Sequence, residues 1–193
     1  MDQWETTYAP AALVAMASSP DKLVELIRTS GSVFDVTDPL PTALQTALTL
    51  LWYSVFATND TRARLLGNPY DNQNRVYAGS NDDARLNAQV ARFTADPAAL
   101  SALASYQVSG RSQVPLVSLH TTGDSVVPIA QAVVYYLKSL GAPGSPFTPL
   151  VVPHYGHCGF TVEEAVGAFI LLVIRTTPSS GSQSDAAPSN RRR

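Results

Sequence analysis

VPLVSLHTTGDSVVP, residues 114–128, is the stretch of sequence that decides the fold of this chain. Its first half, Val114 to Thr121, is a continuous apolar run bounded by Pro and Gly, which predicts a buried β-strand. Asp124 follows the strand, and Pro128 stands at the first turn of a predicted helix that is closed by Gly141. A buried strand followed at once by a helix is typical of a parallel sheet in an α/β fold.

A second strand–helix unit follows the first. Phe147 to Val152 predicts a short strand, and the loop after it reads HYGHCGFT, residues 154–161. Thr161 is predicted to cap the next helix, with Glu164 at the capping-box position, and that helix is expected to run to about Ile174. The order strand–helix–strand–helix indicates that the two strands pair in parallel.

The N-terminal part, residues 1–110, is predicted to be mostly helical, and only residues 32–36 are a candidate for a further strand. Predicted helices cover residues 20–28, 42–58, 81–93 and 96–106, and residues 67–80 have the Gly, Asn, Pro and Asp composition of turns. Two parallel strands are too few for a complete sheet, so the expected fold class is α/β with only the last two strand–helix units present. The tail, residues 176–193, is rich in Ser, Pro and Gly and is expected to be disordered.

The composition limits the classes of partner. The 193 residues are 45% hydrophobic and 15% charged with a formal net charge of −2, which argues against a nucleic-acid partner. The single cysteine excludes an internal disulfide bond and a cysteine-rich zinc site. The longest apolar run, residues 43–57, is interrupted by polar residues and is too short to span a bilayer. The first residues, MDQWE, do not have the pattern of a signal peptide. The compartment stays open, because a longer form could be secreted.

Asp124 and His157 are the candidate functional residues. Asp124 lies just beyond the carboxyl end of a buried strand, where open α/β sheets place their sites. Its alternative role is that of a turn residue that caps the helix beginning at Pro128. His157 follows the next strand, so both loops are expected at the same edge of the sheet, where the imidazole can donate its Nδ1–H to the carboxylate. We therefore predict that the two residues are the acid and the base of a hydrolase, or the relic of such a pair.

Three nearby residues have competing interpretations. His120 lies inside the first strand and is expected to be packed and hydrogen-bonded in the core. His154 lies at the end of the second strand and is an alternative to His157, which we prefer because glycines flank it. Cys158 is not expected to pair with His157 as a nucleophile, because neighbouring side chains diverge in an extended loop. It is expected to be a buried thiol. The sequence has no H-x-x-x-H or H-E-x-x-H pattern, so no metal site and no cofactor are expected.

Residues 114–174 resemble the C-terminal portion of the α/β-hydrolase superfamily. The resemblance rests on LHTTGDSVVP, residues 119–128, and on GHCGFTVEEA, residues 156–165. It implies that Asp124 is the acid and His157 the base of a Ser-His-Asp triad. The segment GNPYDNQNRVYAGSNDDARLN is similar to the helical cap or linker that some bacterial members insert before the Asp strand. Residues 1–110 are therefore expected to be cap-like or linker-like, and residues 111–175 to be the C-terminal part of the hydrolase core.

The nucleophile of such a triad is missing from the sequence. In this family the serine precedes the acid and stands in a G-x-S-x-G elbow, which occurs nowhere in the chain. Ser112 and Ser125 have a glycine two positions before them but no second glycine, so neither is a credible nucleophile. The first oxyanion-hole loop of the family is absent too.

Three interpretations follow from this gap. The preferred one is a C-terminal fragment of a serine hydrolase that acts on esters or amides, with a small-molecule or peptide acyl substrate once it is completed. The second is a non-catalytic hydrolase-like domain whose partner chain supplies the missing strands. The third is a split enzyme whose partner carries the serine elbow. None of them requires a cofactor.

The helix predicted over residues 43–58 is apolar on almost every side. Leu44, Leu48, Leu51 and Val55 form one stripe, and Trp52 and Phe56 form another. A helix of this kind is usually part of the core. Its alternative role is to line an acyl-binding pocket, and we prefer the core.

Overall fold

The computed structural model describes residues 3–142, 144 and 146–177, and over these residues the chain is mixed α/β. Its α-helices are α1 (Ala9–Ala17), α2 (Pro20–Ser30), α3 (Pro39–Trp52), α4 (Thr58–Leu65), α5 (Asp83–Gln89), α6 (Pro97–Ala104), α7 (Ile129–Leu140) and α8 (Val162–Thr176). Its strands are β1 (Leu116–Gly123) and β2 (Phe147–Tyr155). None of the helices in this described part combines the length and the apolar character needed to cross a bilayer.

The first half is helical, as predicted, and has its own small core. Leu23 and Ile27 on α2 are each only 2% exposed and pack against Ala43 and Ala47 on α3. The predicted end of α2 is confirmed, because Gly31 adopts the left-handed conformation, with φ of 70°, that closes a helix.

Helix α3 begins earlier and its helical path ends later than predicted. Pro39 and Pro41 lie in its first turn, where a proline costs nothing because the backbone N–H groups there have no helical partner. After Trp52 the chain continues through a π-helical segment, Tyr53–Ala57, and then α4. A second π-helical segment, Trp4–Tyr8, precedes α1.

The middle of the chain agrees with its turn-like composition. The segment 67–80 has no regular secondary structure, as predicted, and the helices after it are shorter than predicted. The segment is held by side chains: Asn72 is 5% exposed, donates to Tyr77 Oη and the Ala91 carbonyl, and accepts from the Phe93 N–H. Residues 32–36, the candidate for a further strand, are not part of a sheet.

The second half is the predicted strand–helix–strand–helix unit. β1 and β2 pair in parallel, with Leu116 opposite Phe147 and Thr121 opposite Val152, and α7 connects them. The two strands are the only ones among residues 3–142, 144 and 146–177. The predicted capping box at the start of α8 is present, because Thr161 and Glu164 bond each other's backbone N–H.

Helix α8 extends slightly beyond its predicted end. Thr176, which was assigned to the tail by its composition, is the last residue of the helix. Residues 178–193 of the predicted tail lie outside the described residues.

One hydroxyl cluster joins the helical half to the end of β2. Thr46 on α3 is fully buried, donates to the Val33 carbonyl and lies 2.9 Å from Tyr155 Oη. Tyr155 Oη also donates to the Thr42 carbonyl at 3.2 Å. Tyr155 is the last residue of β2, so this contact fixes the helical half beside the loop that carries His157.

The last two helices leave much of their apolar surface exposed. Six apolar residues of α8 are between 45% and 75% exposed, namely Val162, Val166, Phe169, Ile170, Val173 and Ile174. Four on α7 are between 48% and 62% exposed, namely Val133, Val134, Leu137 and Leu140. Parallel sheets are normally covered by helices whose apolar faces are themselves buried. The exposed faces are therefore typical of a surface that another segment covers.

We expect the isolated chain to self-associate through α8, because association buries this apolar surface. The double substitution Phe169→Gln and Ile170→Gln should shift the protein toward the monomer in size-exclusion chromatography with light scattering. Val24→Gln is the control, since Val24 is an exposed apolar residue, 43% exposed, that lies on α2 and is not part of the α8 face. A wild-type monomer with a cooperative melt above about 60 °C, the top of the usual mesophile range, would contradict the expectation.

Candidate active site

Asp124 lies in the turn between β1 and α7 and is only 4% exposed. Its Oδ1 accepts hydrogen bonds from the backbone N–H groups of Val126 and Val127, each at 2.8 Å. This is the turn role that the sequence left as an alternative. It uses only one carboxylate oxygen, so Oδ2 is left for another partner.

That partner is His157. Its Nδ1 lies 2.8 Å from Asp124 Oδ2, which confirms the predicted contact between the two side chains. The imidazole is 50% exposed, whereas the Asp124 side chain is 2% exposed. Within the part of the chain that the structure describes, Nε2 has no hydrogen-bond partner. A buried carboxylate behind Nδ1 and an open Nε2 are the arrangement of a general base.

The backbone at the sheet edge brings the two loops together. Gly156 donates its N–H to the Gly123 carbonyl at 2.9 Å, and its own carbonyl accepts from Thr121 Oγ1 at 2.7 Å. Gly123 allows a close approach, since a Cβ there would lie 2.8 Å from the His154 carbonyl oxygen. Gly156 has φ of 98°, a conformation that favours glycine. These contacts direct the chain after β2 back over the end of β1.

The charge of Asp124 is stabilised by its hydrogen bonds. Burial by itself raises the pKa of the Asp124 carboxyl, because desolvation disfavours the charged form. The bonds from the Val127 N–H, from His157 and from the Val126 N–H outweigh this effect, so the pKa lies below its ordinary value. Asp124 is therefore a carboxylate at neutral pH and favours a proton on Nδ1 of His157.

His120 is a second imidazole beside the same carboxylate. It lies inside β1, its side chain is 14% exposed, and its Nδ1 is 3.7 Å from Asp124 Oδ2. The side chain is mostly buried, as predicted, but among the described residues it makes no hydrogen bond, although one was expected, and its proximity to Asp124 was not predicted. Asp124 lies beyond the end of β1, after an irregularity in the pairing between Thr121 and Gly123, so the alternation of a strand does not predict this contact.

His154 does not take the place of His157. Its Nε2 lies 2.9 Å from Glu164 Oε1, near the start of α8. Hydrogen bonds from the Thr161 N–H and from His154 hold the pKa of the Glu164 carboxyl below its usual value. His154 thus joins β2 to α8, and the geometry favours His157 as the partner of Asp124.

Cys158 differs from its prediction. The thiol is exposed, where a buried thiol was expected, and Cys158 adopts a positive φ of 58° in the turn after His157. The described residues contain no cluster of His, Cys, Asp and Glu that could hold a metal ion.

No serine contacts His157 in the described chain. Ser112 Oγ donates to the Val114 carbonyl at 2.7 Å, ahead of β1. Ser125 follows Asp124 directly in the turn, where it precedes a helix but lacks the elbow sequence. The structure thus shows a carboxylate–imidazole pair with no serine hydroxyl hydrogen-bonded to it among the described residues.

Comparisons with protein-family models, with curated proteins and with solved structures find no match for this chain. The catalytic role of the pair stays a prediction from its sequence motifs and its geometry.

The tautomers of two histidines are expected to be opposite. Neutral His157 should carry its proton on Nδ1 and His154 on Nε2, because those nitrogens face carboxylates. Long-range proton–nitrogen NMR spectra at alkaline pH distinguish the two forms. Asp124→Asn should move the His157 proton to Nε2, since the amide NH₂ then donates to Nδ1, and should leave His154 unchanged. An Nε2–H tautomer of His157 in the wild type would contradict the assigned pair.

The lowered pKa of Asp124 predicts an acid-dependent stability. Its contribution is fully present above the unfolded-state pKa of about 3.9 and is lost as the pH falls through the lower folded-state pKa. Urea unfolding should therefore show that Asp124→Asn loses less free energy of unfolding than the wild type between about pH 5 and about pH 2.5. Asp21→Asn, at an exposed carboxylate, is the control. Equal acid sensitivity of the Asp124 variant and the wild type would contradict the prediction.

Proposed function

We propose that this chain carries the acid and the base of an α/β-hydrolase-type serine hydrolase, which acts on esters or amides, and that its serine comes from a segment outside these residues. The observation that carries the proposal is the 2.8 Å contact between His157 Nδ1 and Asp124 Oδ2. The substrate class is a small-molecule or peptide acyl compound.

The chemistry assigns a separate role to each residue. The serine hydroxyl gives its proton to His157 Nε2 as its oxygen attacks the acyl carbon, and His157 then passes the proton to the leaving group. Asp124 holds the imidazole in the Nδ1–H tautomer and stabilises the imidazolium that forms. The turn bonds to Oδ1 keep the carboxylate in place, because Val126 and Val127 bind it from the other side.

The sheet supports the idea that another segment completes the fold. Among the described residues the two parallel strands have no further strand at either edge, and the apolar faces of α7 and α8 are exposed. A segment with further parallel strands would pair with an open edge and cover these faces. In an α/β-hydrolase such a segment carries the serine elbow and the oxyanion-hole loop.

A second candidate function is a non-catalytic hydrolase-like domain that binds a partner chain. The absence of G-x-S-x-G from the sequence favours it, and so do the exposed faces of α7 and α8. The two functions differ in one respect: only the hydrolase uses His157 Nε2 to activate a nucleophile.

The test is a fusion protein, which we call the joined protein. The chain is fused to the segment that the DNA encodes immediately upstream in the same reading frame, if that segment contains G-x-S-x-G. We expect the joined protein to hydrolyse p-nitrophenyl butyrate, and Asp124→Asn or His157→Ala to lower the rate by a factor on the order of 10⁴. His154→Ala is the matched control, because His154 bonds Glu164 instead of Asp124 and its loss should leave most of the activity.

The isolated chain serves as the blank in this experiment. It should show no ester hydrolysis that depends on His157, because it lacks the nucleophile. A His157-dependent rate from the chain alone would point to a nucleophile within it and would overturn the proposal. A folded but inactive joined protein would favour the non-catalytic domain.

A further inference from the structure

A cavity of about 350 Å³ lies beside the Asp124 turn. Its lining residues come from the N-terminal segment, from α3 and its π-helical extension, and from the turn itself: Trp4, Leu48, Thr49, Trp52, Tyr53 and Val126. None of these side chains is charged, and the volume falls within the range of about 300–1,000 Å³ of ligand pockets. The cavity therefore suits an uncharged, apolar group.

Val126 connects the cavity to the acid–base pair. It lines the cavity, and its backbone N–H is the donor that holds Asp124 Oδ1 at 2.8 Å. The larger cavity, of about 590 Å³, is lined only by residues between 54 and 93 and includes charged side chains. It has no residue from the loops of the pair. A further cavity, of about 300 Å³, also touches the Asp124 turn, through Val127, and includes His120, but the rest of its lining comes from β1, α7 and β2. The 350 Å³ cavity is the one of these two that joins the turn to the helical half.

Both π-helical segments contribute to this cavity, Trp4 from the first and Tyr53 from the second. The segments contact each other, because the Trp4 ring meets the Phe56 ring edge-on at a centroid distance of 5.8 Å. Trp52 also packs on Phe56, at 5.2 Å. π-Helical turns are rare and occur frequently at functional sites. Two of them at one cavity are an independent indication of a binding site.

We propose that this cavity binds the apolar acyl group of the substrate. The proposal rests on the proposed function, since it places the acyl group next to the turn of Asp124. It also divides the roles of α3: Ala43, Thr46 and Ala47 are buried, while Leu48 and Trp52 line the cavity. The core interpretation that we preferred for this helix holds for these small residues and for Leu44, which packs against the core, and the pocket interpretation applies to Leu48 and Trp52.

The chain contains its own reporter for this cavity. It has two tryptophans, Trp4 and Trp52, and both line the cavity. Titration of the purified chain with butanamide, hexanamide and octanamide should change the tryptophan emission in a saturable way. Each methylene that becomes buried should raise the affinity by up to about fourfold, and acetamide, which keeps the amide without the tail, should have no effect.

Two substitutions to the same residue provide a matched pair. Thr49→Glu places a charge in the wall of the cavity and should weaken octanamide binding about tenfold, because the charge is desolvated beside the apolar tail. Gln45→Glu adds the same side chain one turn earlier on α3, at an exposed position outside the cavity lining, and should leave the affinity within about twofold. Circular dichroism should confirm that both variants are folded.

The outcomes separate this proposal from the proposed function. Emission that does not saturate, affinity that does not depend on tail length, or equal effects of the two substitutions would overturn the acyl cavity. The Asp124–His157 pair is tested without the cavity, by the His157 tautomer and by the activity of the joined protein. Octanamide binding in a chain whose joined form is inactive would keep the cavity and remove the catalytic role.

Discussion

The parallel pairing of β1 and β2 is the constraint on which the rest of the structure depends. Parallel strands end at the same edge of a sheet, so the turn after β1 and the loop after β2 meet there. The backbone bond from Gly156 to Gly123 and the side-chain bond from Thr121 to Gly156 fix the separation of the two loops. The 2.8 Å contact between Asp124 and His157 is a consequence of this pairing and does not require contacts from the helical half.

Asp124 combines two functions that compete in the sequence. One oxygen closes the turn into α7, and the other faces His157. The two sets of bonds support each other. The turn N–H groups offset the cost of burying the charged carboxylate, and the burial strengthens the bond between the carboxylate and the imidazole. The turn role of Asp124 is therefore compatible with the proposed role as a catalytic acid, and loss of the carboxylate is expected to lower the stability of the chain.

The helical half is connected to the sheet by a small number of contacts near the site. Tyr155 reaches across to Thr42 and Thr46 on α3, and this docking brings Leu48 and Trp52 beside Val126. Helices α7 and α8 keep exposed apolar faces, which no described element covers. The cavity that we propose for the acyl group is thus lined within the chain, whereas the nucleophile and the cover of the two helices are proposed to come from outside it.

The sequence by itself determined the order of elements in the second half and the residues of the pair, because these depend on local patterns, whereas α1, α4 and the two π-helical segments were not predicted. Apolar runs predict strands, the Thr161–Glu164 capping box predicts the start of α8, and residues at strand ends predict a shared edge. The tertiary structure decided the rest. It placed His120 beside Asp124, bound His154 to Glu164, exposed Cys158 and opened a cavity between Trp4 and Val126. These features depend on the conformation of turns and on contacts between different segments, which periodicity and composition do not encode.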